Sequence, residues 1–367
     1  MTFFLYYDNI IIMKEIINTL YENGYEAYVV GGFVRDYLLG IDSNDIDICT
    51  NAPIDEIIRI FDGRGRAFKK YFAYHINEDG FSYDITTYRK ELKYKRNKPT
   101  VLEVASDLGT DLLRRDFTIN TFAIDRNGLF VDMLGAKKDL NNHLIKVVGD
   151  TNKKFEEDKT RIIRAIRFSC TLDFDLDVDI INFLTKKNAF LLNEVPKEFK
   201  KSELDLIFDS NGIDKFFYLL DRYNMAKYFN IKYDKVEKAY NRYGIWAQIE
   251  TDLPFSNKEI AIITAIRSLI EKKDINFLDL SLYSSDIIYN AAFVLGLENK
   301  VKAFEEISNL HSIIDIEAEP ELFFKYVKFE NIKKVYKDVE RSIMEGYLKN
   351  NRKSIEEYLR KVRLWAI

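Results

Sequence analysis

The chain is poor in the residues that build several common kinds of site. It has two cysteines, Cys49 and Cys170, neither in a Cys-x-x-Cys pair nor near a pair of histidines, which excludes a disulfide framework and a zinc site of the usual spacing. Both read as small buried hydrophobes. The three histidines, His75, His143 and His311, are never followed by aspartate. No apolar run approaches the ~20 residues needed to span a bilayer, so no membrane partner is expected. The first residues, Met1 to Met13, are apolar in character but lack a basic stretch and are interrupted by Asp8, which speaks against a signal peptide and for a cytoplasmic location. Beyond Asp150 only Pro196, Pro254 and Pro320 occur, which favours long helices there. Internal repeats and low-complexity linkers are also missing.

With 367 residues, 47% hydrophobic and 31% charged, the chain can bury a substantial core and should divide into two or more units. Its net charge of −4 argues at first against a polyanionic partner, but the charge is unevenly spread. Glu321 to Ile367 holds twelve Lys or Arg against seven Asp or Glu, whereas Val301 to Pro320 holds one Lys against five acids. Such asymmetry marks either a surface for RNA or a solvated lysine-rich helix face.

Residues 14 to about 145 alternate helical stretches with short β-rich runs, at Ala27 to Val30, Asp45 to Cys49, Tyr83 to Thr87 and Phe122 to Ile124. This region reads as an α/β head, and the remainder as nearly all α. Within the head, Gly31-Gly32, Arg35 and then Asp45-Ile46-Asp47-Ile48 follow in short order. In an extended strand Asp45 and Asp47 share one face while Ile46 and Ile48 point into the core. Two carboxylates on one face repel unless a cation lies between them, and a hard divalent ion such as Mg²⁺ is held by such a pair together with substrate phosphates. The glycines allow close backbone approach to a ligand, and Arg35 offers a fork suited to phosphate oxygens. The bland alternative is a turn followed by solvated acids.

A second constellation lies at Glu157-Asp158-Lys159-Thr160-Arg161-Ile162-Ile163-Arg164-Ala165-Ile166-Arg167-Phe168. At about 100° per residue, Ile162, Ile163 and Ile166 gather on one helix face while Arg161, Arg164 and Arg167 wind along the other. Asp158 precedes Arg161 by one turn, so an acceptor and a donor stand side by side and can imitate a base edge. An amphipathic helix with a solvated basic face is the alternative.

Taken together these segments resemble, in order, the motifs of class II tRNA nucleotidyltransferases (CCA-adding enzymes) and bacterial poly(A) polymerases. Gly31 to Thr50 is similar to motif A. Leu113-Arg114-Arg115-Asp116-Phe117-Thr118-Ile119-Asn120 is similar to motif B, in which arginine, aspartate and asparagine hold the triphosphate and ribose. Asp132-Met133-Leu134-Gly135-Ala136 resembles motif C, a hinge, with alanine in place of the second glycine, and Glu157 to Phe168 carries the EDxxR signature of motif D. Glu198-Phe199-Lys200-Lys201-Ser202-Glu203 keeps the glutamate spacing of motif E with Phe199 where an arginine is usual; a structural role and a nucleotide or tRNA contact both remain open.

The resemblance implies an enzyme that adds C, C and A to the 3′ end of tRNA from CTP and ATP without a template, with release of pyrophosphate. It implies an α/β nucleotidyltransferase head over 1–145, a neck over 146–225 that recognises the base, a helical body over 226–310 and a tRNA-binding tail over 311–367. It assigns catalysis to Asp45, Asp47 and a third carboxylate, Asp84, with Mg²⁺ on Asp45 and Asp47. Nucleotide contacts fall to Gly32, Arg35, Arg115, Asp116, Asn120, Asp158, Arg161, Arg164 and Arg167. Lys90 to Pro99 takes the position of a flexible loop that assists the change from CTP to ATP; its presence opposes CC-only addition, and it is unusually basic. Rival readings are an A-adding or CC-adding specialist, a poly(A) polymerase, and an inactive RNA-binding protein on the same scaffold. An appended HD phosphohydrolase activity is opposed by the absence of any His-Asp pair.

Overall fold

A computed structural model of the chain describes residues 15–185, 188–308 and 315–365. The expectation that Met1 to Ile12 is dispensable lies outside the described residues. The chain forms two compact units, which divide between Phe229 and Asn230.

In the first unit a helix over residues 15–22 (α1) precedes a seven-stranded sheet in the order β3-β4-β5-β2-β1-β8-β9. These strands are β1 (Ala27–Val30), β2 (Asp45–Thr50), β3 (Gly65–Phe68), β4 (Ala73–Glu78), β5 (Phe81–Thr87), β8 (Ala123–Ile124) and β9 (Phe130–Val131). The sheet is mixed, because β2 and β5 run parallel while the other neighbours run antiparallel. Along β2 the period of two is kept: Asp45 and Asp47 are exposed, and Ile46 and Ile48 are buried. Helices α2 (Gly32–Leu39) and α3 (Ile54–Ile60) follow β1 and β2. Gly31, with φ +82°, makes the turn from β1 into α2, a conformation that a side-chain-bearing residue adopts only with strain.

Residues 90–99 depart from the expected loop. They belong to a hairpin of β6 (Arg89–Lys95) and β7 (Lys98–Val104), closed by a tight turn at Arg96 and Asn97, both with positive φ. Asparagine is among the few residues that tolerate this region. After α4 (Leu108–Leu113) and α5 (Ala136–Asn141) the chain turns helical. The stretch expected as the neck contains α6 (Thr151–Glu157), α7 (Thr160–Thr171), α8 (Val178–Thr185), α9 (Lys197–Phe208) and α10 (Ile213–Tyr223), and it lies in one compact unit with the expected head. Asp150 caps α6 by accepting from Lys153 N at 2.7 Å. The apolar face of α7 is as expected, with Ile162, Ile163 and Ile166 buried.

Among the described residues, the regular structure of the second unit is helical apart from one two-residue strand pair. Ser256 and Glu259 form a capping box at the start of its longest helix, Asn257–Lys272. Its last segment closes on an apolar cluster of Leu322, Phe323, Ile332, Val339, Ile355 and Leu359. The basic excess of the tail is partly neutralised within it, since Glu356 accepts from both Lys325 (3.4 Å) and Arg360 (3.1 Å).

Candidate functional site

The parallel pairing of β2 with β5 sets Asp47 opposite Asp84, and Asp45 lies two residues earlier on the same face of β2. On the other side β4 sets His75 opposite Asp84, and His75 Nδ1 lies 2.8 Å from Asp84 Oδ1. Asp47 is exposed at the floor of this corner, yet enough protein surrounds it to push its carboxyl upward. Desolvation is the main cause; Asp84 and Asp45 add to it, and Arg115 opposes it. That mutual repulsion is what a divalent cation would relieve, and the all-oxygen donors of Asp45, Asp47 and Asp84 suit a hard one. Among the described residues no three acid, histidine or cysteine side chains close around a metal position, and Asp84 gives one oxygen to His75.

Arg115 faces the same corner. A Cβ at Gly31 would lie 2.6 Å from Asp47 Oδ2 and 2.9 Å from Arg115 Nη1, so glycine is required here to let these groups approach. The two arginines that follow α4 are held differently. Arg114 is fixed by Asp111 at 2.9 Å and by Glu91 at 3.6 Å. Arg115 comes no closer than 3.7 Å to Asp111, and its buried Nε has no hydrogen-bond partner among the described residues. A buried guanidinium nitrogen without a hydrogen-bond partner is costly unless an acceptor meets it.

Around α7 the charges are instead mutually satisfied. Arg164 pairs with Asp116 at 2.8 Å, and Asp116 also accepts from Asn120 Nδ2 (2.9 Å) and Phe117 N (2.8 Å). Burial works against ionisation of Asp116, but Arg164, Asn120 and Phe117 N outweigh it and hold its carboxyl far below the ordinary range. Arg35 reaches Asn120 Oδ1 at 2.7 Å and forks onto Asp36, and Arg167 pairs with Glu203 at 2.6 Å. The guanidinium groups of Arg35, Arg164 and Arg167 lie 4.8, 5.3 and 3.8 Å from the centre of the Phe168 ring. The arginine face of α7 is therefore packed against the head and against Glu203, not solvated.

Asp158 stands between α6 and α7 and accepts from Thr160 N (3.0 Å) and Thr160 Oγ1 (2.6 Å) through Oδ1. Its Oδ2 lies 4.0 Å from Arg161 Nε, side by side but not hydrogen-bonded. Arg161 is buried and donates to Tyr94 Oη (3.0 Å), Arg114 O (3.3 Å) and Lys154 O (3.2 Å). Tyr94 in turn donates to Glu91. The tip of the hairpin is anchored on the neck, where Asn97 donates to Glu194 O at 2.8 Å and accepts from Lys159 N at 3.1 Å.

An open cleft of about 480 Å³ collects Arg114, Arg115, Asp116, Asp158, Arg161 and Arg164, with Tyr94 and Glu91 on the hairpin side. Five of the predicted nucleotide-contact residues meet there. Gly32, Arg35, Asn120 and Arg167 lie outside its lining, although Asn120 holds Asp116 and Arg35 holds Asn120, and Asp45, Asp47 and Asp84 also lie outside it. Arg115 is common to both places, lining the cleft and approaching Asp47. Asp111, Glu91, Tyr94 and Lys154 escaped sequence reasoning. A signal existed for Asp111 alone, since it precedes Arg114 and Arg115 by three and four residues on one helix face.

The poly(A) polymerase head domain family matches residues 27–146. A CCA-adding enzyme of Bacillus pumilus is 40% identical over 191 residues, which cover 52% of this chain and 48% of that protein. One of Streptococcus gordonii is 28% identical over 92% of this chain and 94% of its own. Thus this chain matches about half the length of the Bacillus relative. Among solved structures, the Bacillus stearothermophilus CCA-adding enzyme in complex with CTP shares the fold, with a TM-score of 0.70, 21% identity, and coverage of 96% of this chain and 97% of the other. The Thermotoga maritima CCA-adding enzyme complexed with tRNA has a TM-score of 0.60 at 21% identity, covering 96% and 94%. The chain is thus similar over residues 27–146 to the poly(A) polymerase head domain family and, over more of its length, to CCA-adding enzymes. Nucleotidyltransferases of this family use divalent metal ions.

Proposed function

We propose that this protein adds C, C and A to the 3′ end of tRNA from CTP and ATP, reading the incoming base with its own side chains. The observation that carries this reading is Arg115. Its guanidinium, with Nε unpartnered among the described residues, lies beside Asp47 and in the same cleft as Asp158 and Arg161, so one residue joins a carboxylate corner to a donor–acceptor pair. The similarity to CCA-adding enzymes over nearly the whole chain supports the same substrates.

In this reading Arg115 binds the triphosphate, and Asp116 and Asn120 position the ribose. Asp45 and Asp47 hold Mg²⁺, with Asp84 as the third carboxylate, and the ion supplies charge that favours ionisation of the terminal 3′-hydroxyl and departure of pyrophosphate. The 3′-oxygen attacks the α-phosphorus, the bond to the β-phosphate oxygen breaks, and no covalent enzyme intermediate forms. Asp158 accepts from the exocyclic amine that cytosine and adenine share, while Arg161 donates to the ring nitrogen beside it. UTP and GTP lack that pattern.

The test uses tRNA transcripts ending at the discriminator base, at C and at CC, each incubated with single NTPs and with CTP plus ATP. Extension of all three to a terminal CCA, and no further, is expected. Addition confined to A or to C would reassign the protein to a specialist, A-tracts of open length would make it a poly(A) polymerase, and no addition at all would leave an RNA-binding scaffold.

A further inference from the structure

Helix α4 ends at Leu113, where the Arg114 N–H still closes on Asp111 O and Leu112 O, and the carbonyls of Leu113, Arg114 and Arg115 lie past the last intrahelical donor. The neck supplies them. Lys154 Nζ, from α6, donates to Leu113 O at 2.8 Å and to Arg115 O at 3.2 Å. Arg161 Nη2, from α7, donates to Arg114 O at 3.3 Å, between them. Three consecutive carbonyls are thus capped by two cations, a favourable placement at a helix C-terminus. Arg161 also donates to Lys154 O at 3.2 Å, which ties the two cations to each other.

The consequence concerns Arg115. Arg114 is hydrogen-bonded to Asp111 and paired with Glu91, whereas the Arg115 side chain has a looser ion pair with Asp111 at 3.7 Å and a buried Nε with no hydrogen-bond partner among the described residues, so the course of its backbone contributes much to its placement. We propose that Lys154 is a positioning residue for nucleotidyl transfer: by capping Leu113 O and Arg115 O it fixes the Arg115 guanidinium beside Asp47, and through Arg161 it links base recognition to triphosphate binding. This deepens the function proposed above and rests on it. Lys154 is itself held under tension of charge, since burial and the neighbouring Arg161 lower its ammonium to about 8 while Glu157, Glu91 and Asp116 act in the opposite sense. A surface lysine with only a solubilising role would not be kept in such a place at that cost.

The experiment measures binding of inorganic tripolyphosphate, which has no base, to the wild type, Lys154→Met, Lys154→Arg, Arg115→Ala and Lys154→Met/Arg115→Ala. Lys154→Met is expected to weaken binding about tenfold, the scale of a lost charged hydrogen bond, and Lys154→Arg, which keeps a cation within reach of the carbonyls, to restore most of it. In the Arg115→Ala background Lys154→Met should change the affinity by less than about twofold, because both changes act through one group. An unchanged affinity in folded Lys154→Met, or the same fold-loss with and without Arg115, overturns the positioning role. Should Lys154→Met fail to fold, Lys154→Gln, which keeps one donor, enters the same cycle with the same criteria. A wild type that binds no tripolyphosphate would overturn the nucleotidyltransferase reading itself, which separates that failure from failure of the Lys154 assignment.

Discussion

Two clusters of charge meet at the adjacent residues Arg115 and Asp116 and differ in how they are balanced. Around α7, Asp116, Asn120, Arg164, Arg35, Arg167 and Glu203 satisfy one another, and the Asp116 carboxyl is held far below its ordinary range. At the corner of β2 and β5, Asp47 is pushed upward and the buried Nε of Arg115 has no hydrogen-bond partner among the described residues. The first arrangement stabilises the folded chain. The second costs stability in the absence of ligand and is thereby available to a cation and a triphosphate.

The contrast is broken most severely at Asp47. Asp47→Asn should lower incorporation of both CTP and ATP by ~10³-fold or more, because charge stabilisation of several kcal/mol is lost from the transition state. The same change should raise Tm at neutral pH. The folded carboxyl is raised above its unfolded value, so its destabilising effect is absent at acid pH, below the unfolded value, and develops as pH rises through the folded one. A thermal scan from pH 4 to pH 7 should therefore show the variant gaining on the wild type as pH rises.

The opposite is expected at Asp116. Asp116→Ala leaves Arg164 without its buried partner and should cost roughly 3–5 kcal/mol, read by denaturant unfolding. Because the folded carboxyl lies below its unfolded value, the wild type holds this stabilisation above about pH 4 and loses it as pH falls toward the folded value. The difference between wild type and variant should accordingly narrow in acid, whereas a difference that is constant with pH would mean that Asp116 contributes by packing alone.

Tyr94→Phe gives a smaller effect. It removes the hydroxyl that accepts from Arg161 and donates to Glu91, and a loss of about 1 kcal/mol, or less than tenfold in kcat/KM for CTP and ATP, is expected. Steady-state kinetics identical to wild type would show that the hairpin does not hold Arg161 in the working enzyme.

Much of this contrast was legible in the sequence and part was not. The period of two at Asp45 to Ile48 and the period of 3.6 at Ile162, Ile163 and Ile166 are local, and both placed their residues correctly. The hairpin over residues 89–104 was missed because its lysine-rich strands bury little, and its order comes from Asn97 on the neck and Tyr94 on Arg161. The arginine face of α7 looked solvated because its partners Asp116 and Glu203 lie tens of residues away in either direction. Lys154 gave no sign at all, since nothing in a Lys-Lys pair says which ammonium will meet a helix end.

The central claim is that protein side chains, Asp158 and Arg161, choose the base while Arg115 holds the triphosphate that all nucleotides share. Single-turnover incorporation of each of the four NTPs onto tRNA ending at C and at CC tests it most directly. Arg115→Ala should lower all four alike. Asp158→Ala should lower CTP and ATP while raising UTP and GTP relative to them, eroding a discrimination that can reach ~10⁴ in kcat/KM when polar groups of a site are left unpaired. Unchanged ratios among the four in Asp158→Ala, accompanied only by the ~1 kcal/mol loss of stability of a helix cap at Thr160, would contradict the account.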